Sequence, residues 1–271
     1  HAFAAELAAA DVPAVAPCVL ERCDDNVRLL PSDDAATLAL GQASTRYAVA
    51  PRHAGRAPEL EDDAVLRRLG GFIGRLHNVG SRSPFVHRRR MDAAQDARAA
   101  LALVVEHRFV PDDQANAWAD ACARAIEVIA AAFDRVKPTS IRLHGDCHPG
   151  NLLWRDSGAH VVDLDDACMG PAVQDLWMLL SGEPVAAAQQ LRQLIAGYTT
   201  FKAFDRAELQ LVEPLRLLRM IRHNAWVAQR WDDPAFPAAF PDFGTSSYWA
   251  QQVAQVRDQL RAAQGAPPLD D

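Results

Sequence analysis

The 271-residue sequence predicts an α+β protein, with a small mixed front piece and a large, mainly helical remainder broken by one β-hairpin. Three observations lead there. Apolar residues recur at helical spacing through most of the chain after residue 59. Two β-prone runs, at 152–154 and 160–164, flank Arg155-Asp-Ser-Gly158, a hairpin signal with glycine available for the turn. The stretches 17–31 and 45–50 hold short β-prone runs instead of a helical stripe.

Taken in order, residues 2–10 read as the tail of a helix that ends at Val12-Pro13, because proline cannot continue it. The runs at 18–20, 27–30 and 47–49 suggest a few antiparallel strands. Pro51 to Pro58, with Gly55 between, reads as a hinge. Val65, Leu66, Leu69, Phe72, Ile73 and Leu76 predict a helix over about 59–78, with Pro58 ahead of it and acids in its first turn. Trp118, Cys122, Ile126, Ile129 and Phe133 predict a second over about 112–136, stopped by Lys137-Pro138. After the hairpin, helices are expected at about 172–181, 186–200, 206–231 and 246–264. Three prolines between Asp232 and Phe243 predict a loop.

Composition excludes several function classes. The net charge is −7 and no basic tract occurs, so no nucleic-acid partner is expected. No apolar run reaches the roughly 18 residues of a membrane span. The five cysteines are scattered and without zinc-type spacing, which predicts a reducing, cytoplasmic setting. A monomer is expected.

The chemistry concentrates in His144-Gly-Asp-Cys-His-Pro-Gly-Asn151 and Val161-Val-Asp-Leu-Asp165. Asp146 lies in a short loop, where a carboxylate either receives a proton from a bound hydroxyl or caps the loop. Asn151 opens the hairpin and Asp163 stands at its far end, so folding the hairpin brings them together. An amide oxygen and a carboxylate suit Mg²⁺. Apolar Val161, Val162 and Leu164 around Asp163 argue against a charge simply left in water. Those three parts are what phosphoryl transfer from ATP to a hydroxyl acceptor needs. Asp165 and Asp166 add negative charge. His148 either stabilises the transferred phosphoryl group or holds the loop. Cys147 reads as packing, and Gly145, Pro149 and Gly150 forbid the helix that a His144/His148 metal pair would need. Asp175 is expected to tie the following helix to the Asp146 loop. Trp226, Trp231, Tyr248 and Trp249 read as core before acceptor site.

The two motifs resemble those of the aminoglycoside phosphotransferase and choline kinase family, HGDxHxxN followed by a strand ending in D-x-D. The resemblance implies a protein-kinase-like two-lobed fold that uses ATP and Mg²⁺. Its bacterial protein-kinase branch is the nearest likeness, carried by 142–148, 151–156, 162–167, 170–180, 213–216 and 230–237. That branch implies a cytoplasmic serine/threonine protein kinase. On the resemblance, Asp146 is the catalytic base, with His148 near the phosphate, and Asn151 and Asp163 are the metal ligands. Leu153 forms the floor under adenine, with Ala48 and Ala50 on the segment beside it. Residues 1–51 then form part of an N-lobe, 52–58 the hinge and 59–271 the helical C-lobe. No lysine precedes Lys137 and no glycine precedes Gly41. The resemblance therefore implies a front cut short of the family's glycine-rich hairpin and lysine, with Glu6 a poor fit to the lysine's usual glutamate partner. A small-molecule kinase of the same fold and a truncated, non-catalytic module are the competing readings.

Overall fold

A computed structural model describes residues 1–18, 27–29, 38–40 and 46–265, with side chains for 1–18 and 48–265. In chain order the elements are α1 (Ala2–Ala9), β1 (Val27–Leu29), β2 (Leu38–Leu40), β3 (Arg46–Tyr47), α2 (Asp63–Gly80), α3 (Ala93–Glu106) and α4 (Asp112–Val136). There follow β4 (Ile141–Leu143), β5 (Leu152–Arg155), β6 (Gly158–Val161), β7 (Cys168–Gly170), α5 (Gln174–Trp177), α6 (Pro184–Tyr198), α7 (Val212–Gln229), α8 (Ala235–Ala239) and α9 (Ser246–Gly265). A 3₁₀ turn, Arg206–Leu211, leads into α7. The chain divides into two compact units. One comprises His1–Arg89 and Ser140–Phe204, the other Arg90–Thr139 and Asp205–Asp271. Among the described residues no helix is long and apolar enough to cross a membrane.

The first unit holds every described strand. β1, β2 and β3 form an antiparallel sheet with Val27 opposite Leu40 and Leu38 opposite Tyr47. The β2 strand has no counterpart in the sequence reading, while the expected run at 18–20 falls mostly outside the described residues. The expected hairpin is present as β5 and β6, with Leu152 opposite Val161 and Arg155 opposite Gly158. It is shorter than expected, because β6 ends at Val161 and leaves Asp163 two residues beyond the strand. β4 pairs with β7 in a third small sheet, with Ile141 opposite Gly170.

The α2 helix anchors this unit. Asp62 caps it through Oδ1, accepting from the amides of Ala64 and Val65 at 2.7 and 3.3 Å. Its predicted stripe is buried at Leu66, Leu69, Phe72, Ile73 and Leu76 and packs on α6. The helices meet backbone to backbone, since a Cβ at Gly70 would lie 1.9 Å from the Leu194 carbonyl oxygen. Any side chain there would force them apart.

The α1 helix and β4 are joined by an ion pair that sequence reading missed. Arg142, on β4 and almost fully buried, donates from Nη1 and Nη2 to the two Glu6 oxygens of α1 at 3.0 and 2.7 Å. Its remaining donors reach the carbonyls of Val79 and Gly80. Its guanidinium also stacks 4.6 Å from the Phe3 ring centroid. Glu6 thus serves a β4 arginine. The Arg142 hydrogen bonds lower its pKa below 4.5; partial burial opposes them, and the charges of Arg142 and Arg82 add to them. A depressed carboxylate stabilises the fold above its unfolded pKa and loses that contribution as pH falls through the native value. Glu6 is half exposed, so the contribution is on the order of 1 kcal/mol. Glu6→Gln is therefore expected to lower stability by about that much at pH 7, with the gap shrinking in acid as pH falls through the lowered native value. Urea melts at pH 7 and in acid test this; an equal gap in both would show that the charge is not what Glu6 contributes.

The second unit is a helical assembly. α4 spans its expected length, and Lys137 ends it with φ 47°. Trp118, Cys122, Ile126 and Ile129 are buried, with α9 and α7 packed against the helix. Trp118 and Trp249 meet edge to face at 5.0 Å. Trp249 is fully buried, as expected for core, whereas Trp226 is 43% exposed. The α3 helix, which lacked a sequence signal, packs on α7 through Ala93, Ala97, Ala100 and Val104. The stretch expected as loop between Asp232 and Phe243 contains the short α8.

Candidate active site

The loop after β4 is held from below by one buried carboxylate. Asp175, on α5, accepts the His144 amide on Oδ2 at 2.8 Å and the Gly145 amide on Oδ1 at 2.9 Å. Its Oδ2 also faces His77 Nε2 at 3.0 Å, and His77 Nδ1 lies 3.0 Å from the Tyr198 hydroxyl. Burial alone would raise the Asp175 pKa. The His77 hydrogen bond, the His77 and His144 rings and the Gly145 amide outweigh it and hold the pKa below the usual 3.8. A charge this deeply buried persists because every oxygen is bonded. The expectation that Asp175 ties its helix to the Asp146 loop thus takes a specific form. Gln174 Nε2 adds a bond to the Gly145 carbonyl at 2.9 Å.

Gly145 makes the turn from strand into loop. Its φ is +88°, and a Cβ would meet the Asp166 carbonyl oxygen at 2.2 Å. Only glycine lets the Asp146 loop lie this closely against the Asp163–Asp166 segment. His144 locks the same junction. Its Nδ1 accepts the Asp146 amide at 3.3 Å, so its Nε2 carries the proton and donates to the Val162 carbonyl at 2.8 Å.

Asp146 sits at the loop's apex with its side chain 26% exposed. His148 curls back beside it. Its Nδ1 accepts the Gly150 amide at 3.0 Å, which leaves the proton on Nε2, 3.5 Å from Asp146 Oδ2. Asn151 donates from Nδ2 to the Asp146 carbonyl at 3.0 Å, which leaves Oδ1 as its amide acceptor atom. The Val162 amide donates to the Asn151 carbonyl at 3.1 Å, so Asp163 follows directly on the residue paired with Asn151. Asp146, His148 and Asn151 thus meet around one loop, and Asp163 follows the residue that pairs with Asn151.

Asp163 itself differs from expectation. It adopts a left-handed φ of 59° and is exposed, not enclosed by its apolar neighbours. The left-handed turn breaks strand alternation, and Asp163 Oδ1 accepts from the Asp165 amide at 3.4 Å. Asp165 and Asp166 are exposed too, and Arg88 donates to the Asp165 carbonyl. Cys147 is buried, and that burial, followed by the charges of Asp175 and Asp146, raises its thiol pKa well above 9.0. It is packing, as expected, and no nucleophile.

Leu153 is half-buried on β5 opposite His160. Gly55 lies against it, and Arg56 exchanges backbone hydrogen bonds with Trp154 at 3.1 and 2.7 Å. His53 stacks on His160 with centroids 5.7 Å apart. Residues 52–58 thus rest on the same hairpin that carries Asn151. Ala48 and Ala50 are exposed. Sequence reading did not find His77, which lies 98 positions from its partner Asp175.

Known proteins carry the same architecture. Residues 1–212 match the phosphotransferase enzyme family. Stress response kinase A of Escherichia coli K12 is 37% identical over 269 residues, covering 99% of this chain and 77% of that protein. A Salmonella typhimurium protein named serine/threonine protein kinase RdoA is 36% identical over an equally long span, with the same coverage. Among solved structures, amicoumacin kinase hAmiN in complex with AMP-PNP, Ca²⁺ and Ami aligns with a TM-score of 0.62 at 18% identity. That alignment covers 99% of this chain and 77% of the other and speaks for the fold alone. A helical α+β, protein-kinase-like fold and a family match over most of its length lead to one conclusion: the chain belongs to the phosphotransferase enzyme family.

Proposed function

We propose that the protein is an ATP-dependent kinase that phosphorylates serine or threonine hydroxyls of a protein acceptor. The observation that carries this reading is the Asp146 loop, fixed through two backbone amides to the buried Asp175 with Asn151 bonded to its carbonyl. A loop held this way through its backbone keeps a carboxylate in place. Asp146 accepts the acceptor hydroxyl's proton as the new O–P bond forms. His148, with its proton on Nε2, keeps the loop's curl and faces Asp146.

Asn151 Oδ1 and the exposed Asp163 carboxylate are the hard oxygen donors suited to Mg²⁺. Among the described residues no three His, Cys, Asp or Glu side chains form a metal cage. Two protein ligands suit an ion that completes its shell with phosphate oxygens and water. When bound, the ion supplies charge neutralisation on the transferring phosphate. Leu153 would floor the adenine, with Ala48 and Ala50 beside it. Residues 1–51, 52–58 and 59–271 would act as partial N-lobe, hinge and C-lobe. The four described cysteines are free thiols, which suits a reducing cytoplasm. A cytoplasmic monomer without nucleic-acid or membrane partners fits this reading.

Exposed Asp165 and Asp166 beside the loop favour a second reading, a cationic small-molecule acceptor such as an amino alcohol or aminoglycoside. Labelled ATP with Mg²⁺, offered a generic protein acceptor beside a panel of such molecules, separates the two. Label is expected on serine and threonine of the protein. Label confined to a small molecule would overturn the protein-kinase assignment while leaving Asp146 as base, and transfer to neither would remove both readings.

A further inference from the structure

We propose that a cavity bounded by α2, the β5–β6 turn and the end of α6 is a second binding site, taking a small organic phosphate. The cavity measures about 490 Å³ and lies wholly within the first unit. That volume falls in the range of small-molecule sites. Its lining includes Arg67, Arg68 and Arg75 together with Phe72, Phe201 and Gly158. Three arginines around one cavity stand out in a chain of net charge −7.

The α2 face explains how the space arises. Arg68, Gly71 and Arg75 fall at i, i+3 and i+7, one stripe of the helix. The two arginines leave the helix about 10.5 Å apart along its axis. Gly71 between them has no side chain to fill the gap, and the Phe201 ring lies against it, within 3.1 Å of where a Cβ would sit. The result is two cationic arms flanking an aromatic floor.

Each guanidinium is oriented, yet by neutral acceptors only. Arg67 Nε donates to Gln193 Oε1 at 2.5 Å. Arg68 Nη2 donates to the Asp156 backbone carbonyl at 3.0 Å, and its guanidinium stacks 4.8 Å from the Trp154 ring centroid. Arg75 Nη2 donates to the Asp11 backbone carbonyl, with its guanidinium 5.9 Å from the Phe201 centroid. Among the described residues no carboxylate forms an ion pair with any of the three. The nearby Asp63 carboxylate is engaged instead by Gln193 Nε2 at 3.0 Å. Each arginine has five N–H donors and uses one in these contacts. The pocket thus presents preset positive charge with donors to spare.

Those features define the ligand. A guanidinium fork matches phosphate oxygens, and a dianion answers more than one arginine. Phe72 and Phe201 would cover an apolar body attached to it. This site is distinct from the candidate active site. It meets the turn of the β5–β6 hairpin, whereas Asn151 and Asp163 stand at the open end, about 13 Å away along four-residue strands.

Calorimetry on the whole chain, in EDTA and with phenyl phosphate as probe, tests the proposal. One molecule is expected to bind with a dissociation constant below about 1 mM, and phenol is expected not to bind. Arg68→Ala combined with Arg75→Ala should weaken binding at least about tenfold, the loss expected from removing a charge-assisted contact. Should the double variant fold poorly by circular dichroism, Arg68→Gln alone decides, because that side chain is exposed and its change should weaken binding about threefold or more. Absence of binding to the unaltered chain, equal binding of phenol, or unchanged affinity in the folded arginine variant would each overturn the proposal. The last result would place the probe elsewhere, for example at the nucleotide site.

Discussion

Asp146→Ala is expected to lower turnover at least about a hundredfold while nucleotide affinity stays within about twofold. The size follows from the usual contribution of a positioned general base. The selectivity follows from the structure. The Asp146 backbone holds neighbouring machinery, since its carbonyl accepts from Asn151 Nδ2 and its amide donates to His144 Nδ1. The loop's anchor, Asp175, bonds to the amides of His144 and Gly145 and is untouched by the change. Removing the carboxylate therefore removes the proton acceptor and leaves these backbone contacts in place. Asp146→Asn keeps the shape and should lose as much activity, because an amide cannot take the proton. Single-turnover rates with nucleotide binding measured separately provide the check. Near-normal turnover in both variants would take Asp146 out of the chemistry; a parallel collapse of nucleotide affinity would recast it as a structural residue.

How far the sequence revealed this arrangement depended on the range of the interaction. The α2 and α4 stripes were readable because large apolar residues repeat at helical spacing over several turns. The α3 helix was not, because the face it buries is mostly alanine, whose small side chains carry little periodic signal. The β2 and β7 strands span three residues each, too few for an alternation pattern to stand out. The closeness of residues 151 and 163 in the fold was legible because one local hairpin links them, and turn chemistry is a short-range property. The brace beneath the Asp146 loop was legible only in part. Asp175 could be suspected from its place at a helix start, but its pairing with His77 joins residues 98 positions apart. Asp163 shows the opposite limit, since apolar neighbours in sequence suggested an enclosed charge. A single left-handed residue redirects the side chain, and neighbours in sequence cease to be neighbours in space.

That turn shapes the second large effect, which separates Asp163 from Asp165. Asp163→Ala is expected to cut activity by about a hundred- to a thousandfold, the scale for losing a preorganised electrostatic contact to the transferring group. Asp165→Ala should stay within about tenfold. Asp163 lies next to Val162, whose amide is bonded to the Asn151 carbonyl, so the two residues stand at one end of the hairpin. Asp165 is two residues farther out, and its own amide bonds to Asp163 Oδ1 at 3.4 Å. Alanine at 163 also burdens the backbone, because a φ of 59° suits aspartate and asparagine better than alanine. Asp163→Asn controls for this, because it tolerates the left-handed conformation and removes only the charge. If the asparagine variant loses activity as fully as the alanine variant, and both need far more Mg²⁺ for half-maximal rate, the carboxylate is the ion's ligand. If the asparagine variant keeps its activity, the turn is what matters and not the charge. Equal losses at 163 and 165 with equal Mg²⁺ dependence would refute the assignment of the ligand to Asp163.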